Sequence, residues 1–228
     1  MDSTTDQNME NRFVRIMAGT EVLEGILNIP ERAEGIVVFV HGSGSSRNSP
    51  RNQYVAQQLN EGGLATLLFD LLTAEEEQID LRTRHLRFDI DLLARRTMEA
   101  TDWLVQQPFT KELNVGHFGA STGAAAALIA AAERPGVVRA VVSRGGRPDL
   151  ASKALPRVKA PTLLIVGGND VPVIGMNEQA LEQMETGSEK KLKIIPGATH
   201  LFEEPGALEQ VVRLARDWFH RFLSSEHQ

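Results

Sequence analysis

Ser121 is the residue whose type and neighbours most clearly invite chemistry. It lies in Gly119-Ala120-Ser121-Thr122-Gly123, between the apolar run NVGHF and the helical run AAAALIAAAER. Gly-x-Ser-x-Gly between a strand and a helix describes a sharp turn that lifts a serine hydroxyl clear of a sheet. The two glycines give such a turn conformational freedom, and the alanines let the next helix lie close to the sheet. The competing reading is a tight turn with an idle serine, and the strand–turn–helix setting favours the nucleophile. A serine hydroxyl needs a base, and the base needs an orienting group. Among His41, His85, His117, His200, His220 and His227, only His200 follows a strand-like run downstream of Ser121, in KLKIIPGATH. His117 reads as buried beside the sheet, and His41 as a hydrogen-bonding residue that holds its own loop. His85 lies in an Arg-rich polar stretch, and His220 and His227 belong to a terminal helix and tail.

For the orienting acid, Asp170 ends PTLLIVGGND, directly after another apolar run. Asp70 and Asp149 are its rivals. Asp70 precedes the serine in the chain, and an Asx turn accounts for Asp149 in GGRPD. The order Ser121, Asp170, His200 is the one associated with this elbow. An acyl transfer on Ser121 also needs two N–H donors where the oxyanion forms. Thr122, next after the nucleophile, offers one, and Ser43 in the loop His41-Gly42-Ser43-Gly44-Ser45-Ser46 offers the second. A phosphate-cradling loop is the rival reading of HGSGSS, but the segment lacks the G-K-[ST] ending and the third Rossmann glycine. Arg47, Arg51 and Arg144 follow strand-like runs and are expected near the same mouth, where their forked guanidiniums suit a substrate carboxylate. Glu75, Glu76, Glu77 and Asp149 make ordinary salt bridging the rival reading of these arginines and of Arg147.

The elements that must position these residues are legible as alternating patterns. RFVRIMA and VLEGILNI, separated by Gly19 and Thr20, read as an antiparallel hairpin. GIVVFV, ATLLFD, NVGHFG, RAVVS, PTLLIV and KLKIIP follow, nearly continuous apolar runs of the kind found in strands covered on both faces. Between them lie helical stripes: Ile90, Leu93, Ala94, Thr97, Thr101, Leu104, and later Leu208, Val211, Val212, Ala215, Phe219, Phe222. The expected fold is α/β: a doubly wound, mostly parallel sheet with helices on both faces. Ligands in such sheets sit outside the carboxyl ends of the strands. RAVVS and PTLLIV are too close in sequence to hold a cap domain between them. The acidic segment TAEEEQIDLRTRH is the other candidate cover, and it is polar.

Composition bounds the remaining classes. A chain of 228 residues points to one domain, expected over residues 13–228 after a disordered tail at 1–12. A net charge of −6 disfavours nucleic acid as a partner. The longest apolar run, Ala124–Ala132, falls far short of the roughly 20 residues of a membrane span. The polar N-terminus lacks the pattern of a signal peptide, so a cytoplasmic location is expected. With no cysteine, disulfides, thiolate metal sites and a Cys nucleophile are excluded. No metal or organic cofactor is expected, and the expected partner is a small-molecule ester.

Taken together, HGSGSS, GASTG, GGND and GATH resemble the α/β-hydrolase superfamily over residues 12–225, and most closely its small, capless dienelactone-hydrolase-like branch. The resemblance implies a serine hydrolase with Ser121, Asp170 and His200 as its triad. Dienelactone hydrolases proper carry a cysteine nucleophile, so the resemblance does not extend to dienelactone as substrate. Small esters or lactones are the expected substrates. Thioesters or peptides cleaved by the same residues, and a non-catalytic binding module on the same fold, are the alternatives.

Overall fold

The computed structural model describes residues 10–184 and 187–224. Within them, eight strands form one sheet in the order β1-β2-β4-β3-β5-β6-β7-β8. The hairpin β1 (Glu10–Ala18) and β2 (Glu21–Ile29) is antiparallel, and β2 joins β4 (Ala65–Phe69) antiparallel. From β4 onward every pairing is parallel, through β3 (Ile36–Val40), β5 (Val115–Ala120), β6 (Val138–Arg144), β7 (Thr162–Gly167) and β8 (Lys190–Ile195). Strand β1 begins inside the stretch expected as a tail. Asn11 and Arg12 already sit opposite Asn28 and Leu27, because a strand can extend as far as its partner offers backbone to pair with. Residues 1–9 and His227 lie outside the described residues.

Strands β3, β4, β5 and β7 are buried along their whole length, as continuous Val, Ile and Leu runs require when both faces are covered. One face of the sheet packs against α1 (Pro50–Glu61) and α6 (Ala207–Leu223), through Val55, Leu59, Val211, Ala215 and Phe219. The other packs against α3 (Ile90–Leu104), α4 (Thr122–Glu133) and α5 (Val171–Gln183), through Leu93, Leu104, Leu128 and Ala180. Each large side chain buried this way contributes about 1.5–3 kcal/mol of transfer free energy. This is the α/β-hydrolase architecture. Between β6 and β7 the chain makes two short 3-10 turns, Pro148–Ala151 and Leu155–Arg157, and no cap.

TAEEEQIDLRTRH is more ordered than its polarity suggests. Residues Ala74–Thr83 form helix α2, started by a reciprocal box in which the Thr73 hydroxyl accepts from Glu76 N–H and the Glu76 carboxylate accepts from Thr73 N–H. Glu75, Glu76 and Glu77 occupy its first turn, where the helix dipole favours negative charge. Among the described residues, no helix is long and apolar enough to cross a membrane.

Candidate active site

The turn at Ser121 is strained. Its φ of 51° and ψ of −124° are rare for a residue with a side chain, and such a conformation costs roughly 1–3 kcal/mol unless its surroundings hold it. Ser121 N–H donates to the Arg144 carbonyl at 3.3 Å, and its own carbonyl accepts from Ala124 N–H at 3.1 Å and Arg147 N–H at 3.0 Å. The flanking glycines serve a different purpose from the one expected of them. Neither has a positive φ; what they supply is room. A Cβ on Gly119 would lie 2.5 Å from Ala124 Cα, and one on Gly123 2.2 Å from the Val40 carbonyl oxygen. The strand–turn–helix crossing is close enough that hydrogen alone fits at both positions.

His200 and Asp170 meet across two loops at the carboxyl ends of β7 and β8. His200 Nδ1 lies 2.6 Å from Asp170 Oδ2, with the Asp170 side chain mostly buried and that of His200 half-exposed. The two loops are fastened together: Gly168 N–H donates to Ile195, Asn169 N–H to Ala198, and the Asn169 side-chain amide to the Gly197 carbonyl. Phe202, two residues beyond His200, is fully buried and carries a positive φ of 56°. It pins the histidine loop into the α6 face of the core. Its role escapes sequence reading, since a lone Phe in a loop gives no sign of where it packs.

Ser121 and His200 line one open cleft of about 250 Å³, together with Gly42, Ser43, Arg51 and Arg144. The loop holding Ser43 is fixed by His41, as expected. The His41 ring accepts from Leu71 N–H through Nε2 at 3.1 Å and donates from Nδ1 to the Gly42 carbonyl at 2.9 Å. Burial lowers the His41 pKa below the usual imidazole range, which keeps this tether neutral. Ser43 N–H has a partner not foreseen: it donates to the Thr122 hydroxyl at 3.0 Å. The expected second oxyanion donor is therefore held by the side chain of the residue expected to supply the first.

The rival acids have other partners. Asp70 is bound by the Arg47 guanidinium and accepts from Arg47 N–H at 2.7 Å, and Asp149 forms a two-pronged pair with Arg147 at 2.9 and 2.7 Å. Arg47 also reaches Glu24 at 2.6 Å and does not line the Ser121 cleft, so its expected place at the substrate is corrected. Its two carboxylate neighbours, one from the hairpin and one from the end of β4, draw it away. Arg51 and Arg144 do line the cleft. His117 is fully buried behind the elbow, with Nε2 3.0 Å from the Thr101 hydroxyl and Nδ1 3.2 Å from the Ala127 carbonyl.

Comparison with known proteins places this arrangement in a family. Residues 23–224 match the model of the dienelactone hydrolase family. The chain belongs to that family. A dienelactone hydrolase from Anabaena variabilis ATCC 29413 is 66% identical, with a TM-score of 0.92 over 94% of this chain and 99% of its own. Est1E from Butyrivibrio proteoclasticus shares the fold at 16% identity, with a TM-score of 0.77 over 93% of this chain and 98% of its own. Curated proteins from two Mycobacterium tuberculosis strains, each named "Putative phosphoribosyl transferase", are 56% identical over 96% of this chain. The chain spans about half the length of those relatives, 48%. Membership supports hydrolase chemistry for this chain.

Proposed function

We propose that this member of the dienelactone hydrolase family is a serine esterase acting on small carboxylic esters or lactones through an acyl-enzyme. Ser121 Oγ bonds to the ester carbonyl carbon while His200 Nε2 takes the hydroxyl proton. Asp170 holds Nδ1–H and stabilises the imidazolium. Collapse of the tetrahedral intermediate breaks the bond to the alkoxide, which leaves with the proton from His200. Water then attacks the acyl carbon, His200 taking its proton; collapse breaks the acyl–Oγ bond, Ser121 Oγ takes the proton back from His200, and the acid departs. Thr122 N–H, at the start of α4, and Ser43 N–H, held in place by and shared with the Thr122 hydroxyl, serve the oxyanion. The mechanism uses only side chains, backbone donors and water.

The observation that carries this reading is the 2.6 Å contact between His200 Nδ1 and Asp170, in a cleft shared with a serine on a strained elbow. A positioned imidazole in the same cleft as a half-buried serine hydroxyl is what serine nucleophiles require. Thioester and amide cleavage by the same residues are distinguished by a substrate panel. The transferase name belongs to proteins about twice as long, and the serine elbow favours hydrolysis for this chain. The direct test is p-nitrophenyl acetate turnover by Ser121→Ala and His200→Ala. Each is expected to lose about 10⁴-fold or more in kcat, because triad members act as a unit. Near-normal turnover in a folded Ser121→Ala protein overturns the mechanism.

A further inference from the structure

Arg144 is an exceptional neighbour for Ser121. It ends β6, its carbonyl accepts the Ser121 N–H, and the residue is only 8% exposed where it lines the cleft. Its hydrogen-bond partner is a neutral amide, Asn52 Oδ1 at 3.3 Å, and its Nε is buried with no partner. No carboxylate is paired with it among the described residues. Instead it faces a second cation, Arg51, whose Nε is also buried without a partner. Burial, with the Arg51 charge adding to it, lowers the Arg144 pKa to about 10, which still leaves it a cation at neutral pH. Of the acids around the cleft, Asp170 is taken by His200, and exposed Glu203 by the outer nitrogen of Arg51 at 3.0 Å.

Buried charges are normally paired, because removing them from water is costly. Arg144, a buried cation without a carboxylate, opposes that rule unless an anion completes it, and half-exposed Arg51 brings a second guanidinium to the same cleft. We propose that Arg144 and Arg51 form a subsite for a phosphate group carried by the substrate, as a handle distinct from the bond that is cleaved. Its part in turnover rests on the serine esterase reading; the binding itself does not. Acceptor number favours phosphate over carboxylate. Arg51 keeps Glu203 on its outer nitrogen, and two guanidiniums converging on one group are better matched by the three acceptor oxygens of a phosphate monoester than by the two of a carboxylate. Guanidinium forks match such oxygens in pairs. Because Arg144 pairs across the sheet with Ala120, the residue before the nucleophile, the handle and the scissile ester belong to one small molecule.

Calorimetric titration of Ser121→Ala with inorganic phosphate isolates binding from chemistry, so it succeeds or fails whatever becomes of the esterase reading. Binding to one site per chain is expected. Adding Arg144→Met should weaken it about tenfold or more, the usual worth of a charge-assisted pair. Arg144→Lys, which keeps the charge and loses the fork, should weaken it less, and it replaces the Met variant if that chain fails to fold. Unchanged affinity in both variants overturns the subsite. Tighter binding of succinate than of phosphate overturns the choice of phosphate. In turnover, p-nitrophenyl esters whose acyl chain ends in a phosphonate or in a methyl group are compared. The phosphonate ester should be preferred, and Arg144→Met should lower that preference about tenfold or more. An equal loss on both esters would place Arg144 at the reacting carbonyl and contradict its assignment to a handle.

Discussion

Ser121 is held in a conformation, φ 51° and ψ −124°, that a residue with a side chain rarely adopts. Its positive φ is held by hydrogen bonds from β6 and the start of α4, so the elbow is fixed before any substrate arrives. The contact between Thr122 Oγ1 and Ser43 N–H ties the elbow to the loop after β3. Thr122→Val removes that acceptor while keeping the shape, and it is expected to lower kcat several-fold by letting the Ser43 donor drift. Loss of a whole oxyanion donor, about 10²–10³-fold, is the upper bound. Asp170→Asn should cost about 10⁴-fold by leaving the His200 ring in the wrong tautomer, as an equivalent change does in the serine protease template. Asp149→Asn, which disturbs only the pair with Arg147, should change kcat by less than about tenfold. A larger loss in Asp149→Asn than in Asp170→Asn would reassign the orienting acid. At this scale residue type and order in the chain pointed to Ser121, Asp170 and His200. They could not show which arginines face the cleft, because Arg47 is decided by Glu24 and Asp70, partners remote in sequence.

Between elements, the governing quantity is the closeness of β5, α4 and β3. The seven alanines between Thr122 and Glu133 bring α4 near enough to the sheet that Gly123 abuts the Val40 carbonyl. Gly123→Ala is expected to destabilise by about 1–3 kcal/mol or more, since backbone must move to admit the methyl. A denaturant midpoint equal to that of the parent would refute the close crossing. Strand positions were readable from their apolar runs, and the stripes of α3 and α6 from their period. Helix α2 was not, because its order rests on the Thr73–Glu76 cap and on Arg96 reaching Glu76 at 2.9 Å rather than on an apolar face. The start of β1 was missed for a related reason: pairing with β2, not composition, sets where the strand begins.

Across the whole molecule, two buried neutral histidines link stability to pH. Burial lowers the His117 pKa from about 6.5 in an unfolded chain to about 4. The unfolded state therefore binds the extra proton first. The stability is complete above about pH 6.5 and is lost as pH falls toward 4. For His117 alone the loss between pH 7 and pH 5 is about 2 kcal/mol, and His41, shifted in the same direction, adds to it. Urea unfolding at the two pH values should show this slope, and His117→Gln should flatten it. An unaltered slope in that variant would show that His117 is not the group taking up the proton. The open architecture also bears on substrate size. Of the residues lining the cleft, only Ala120 and Leu201 carry apolar side chains, and no cap domain is present among the described residues. Turnover should therefore peak at acyl chains of about two to four carbons, without a rate jump on emulsified esters. A maximum at about ten carbons or longer would contradict it.

Covalent capture tests whether Ser121 is a nucleophile activated by His200. A fluorophosphonate probe reacts with an activated serine and leaves its mass on the peptide that contains it. One label per chain is expected, on Ser121, lost in Ser121→Ala and greatly slowed in His200→Ala. A folded parent chain that takes no label, or a label that persists in Ser121→Ala, would contradict this role of Ser121.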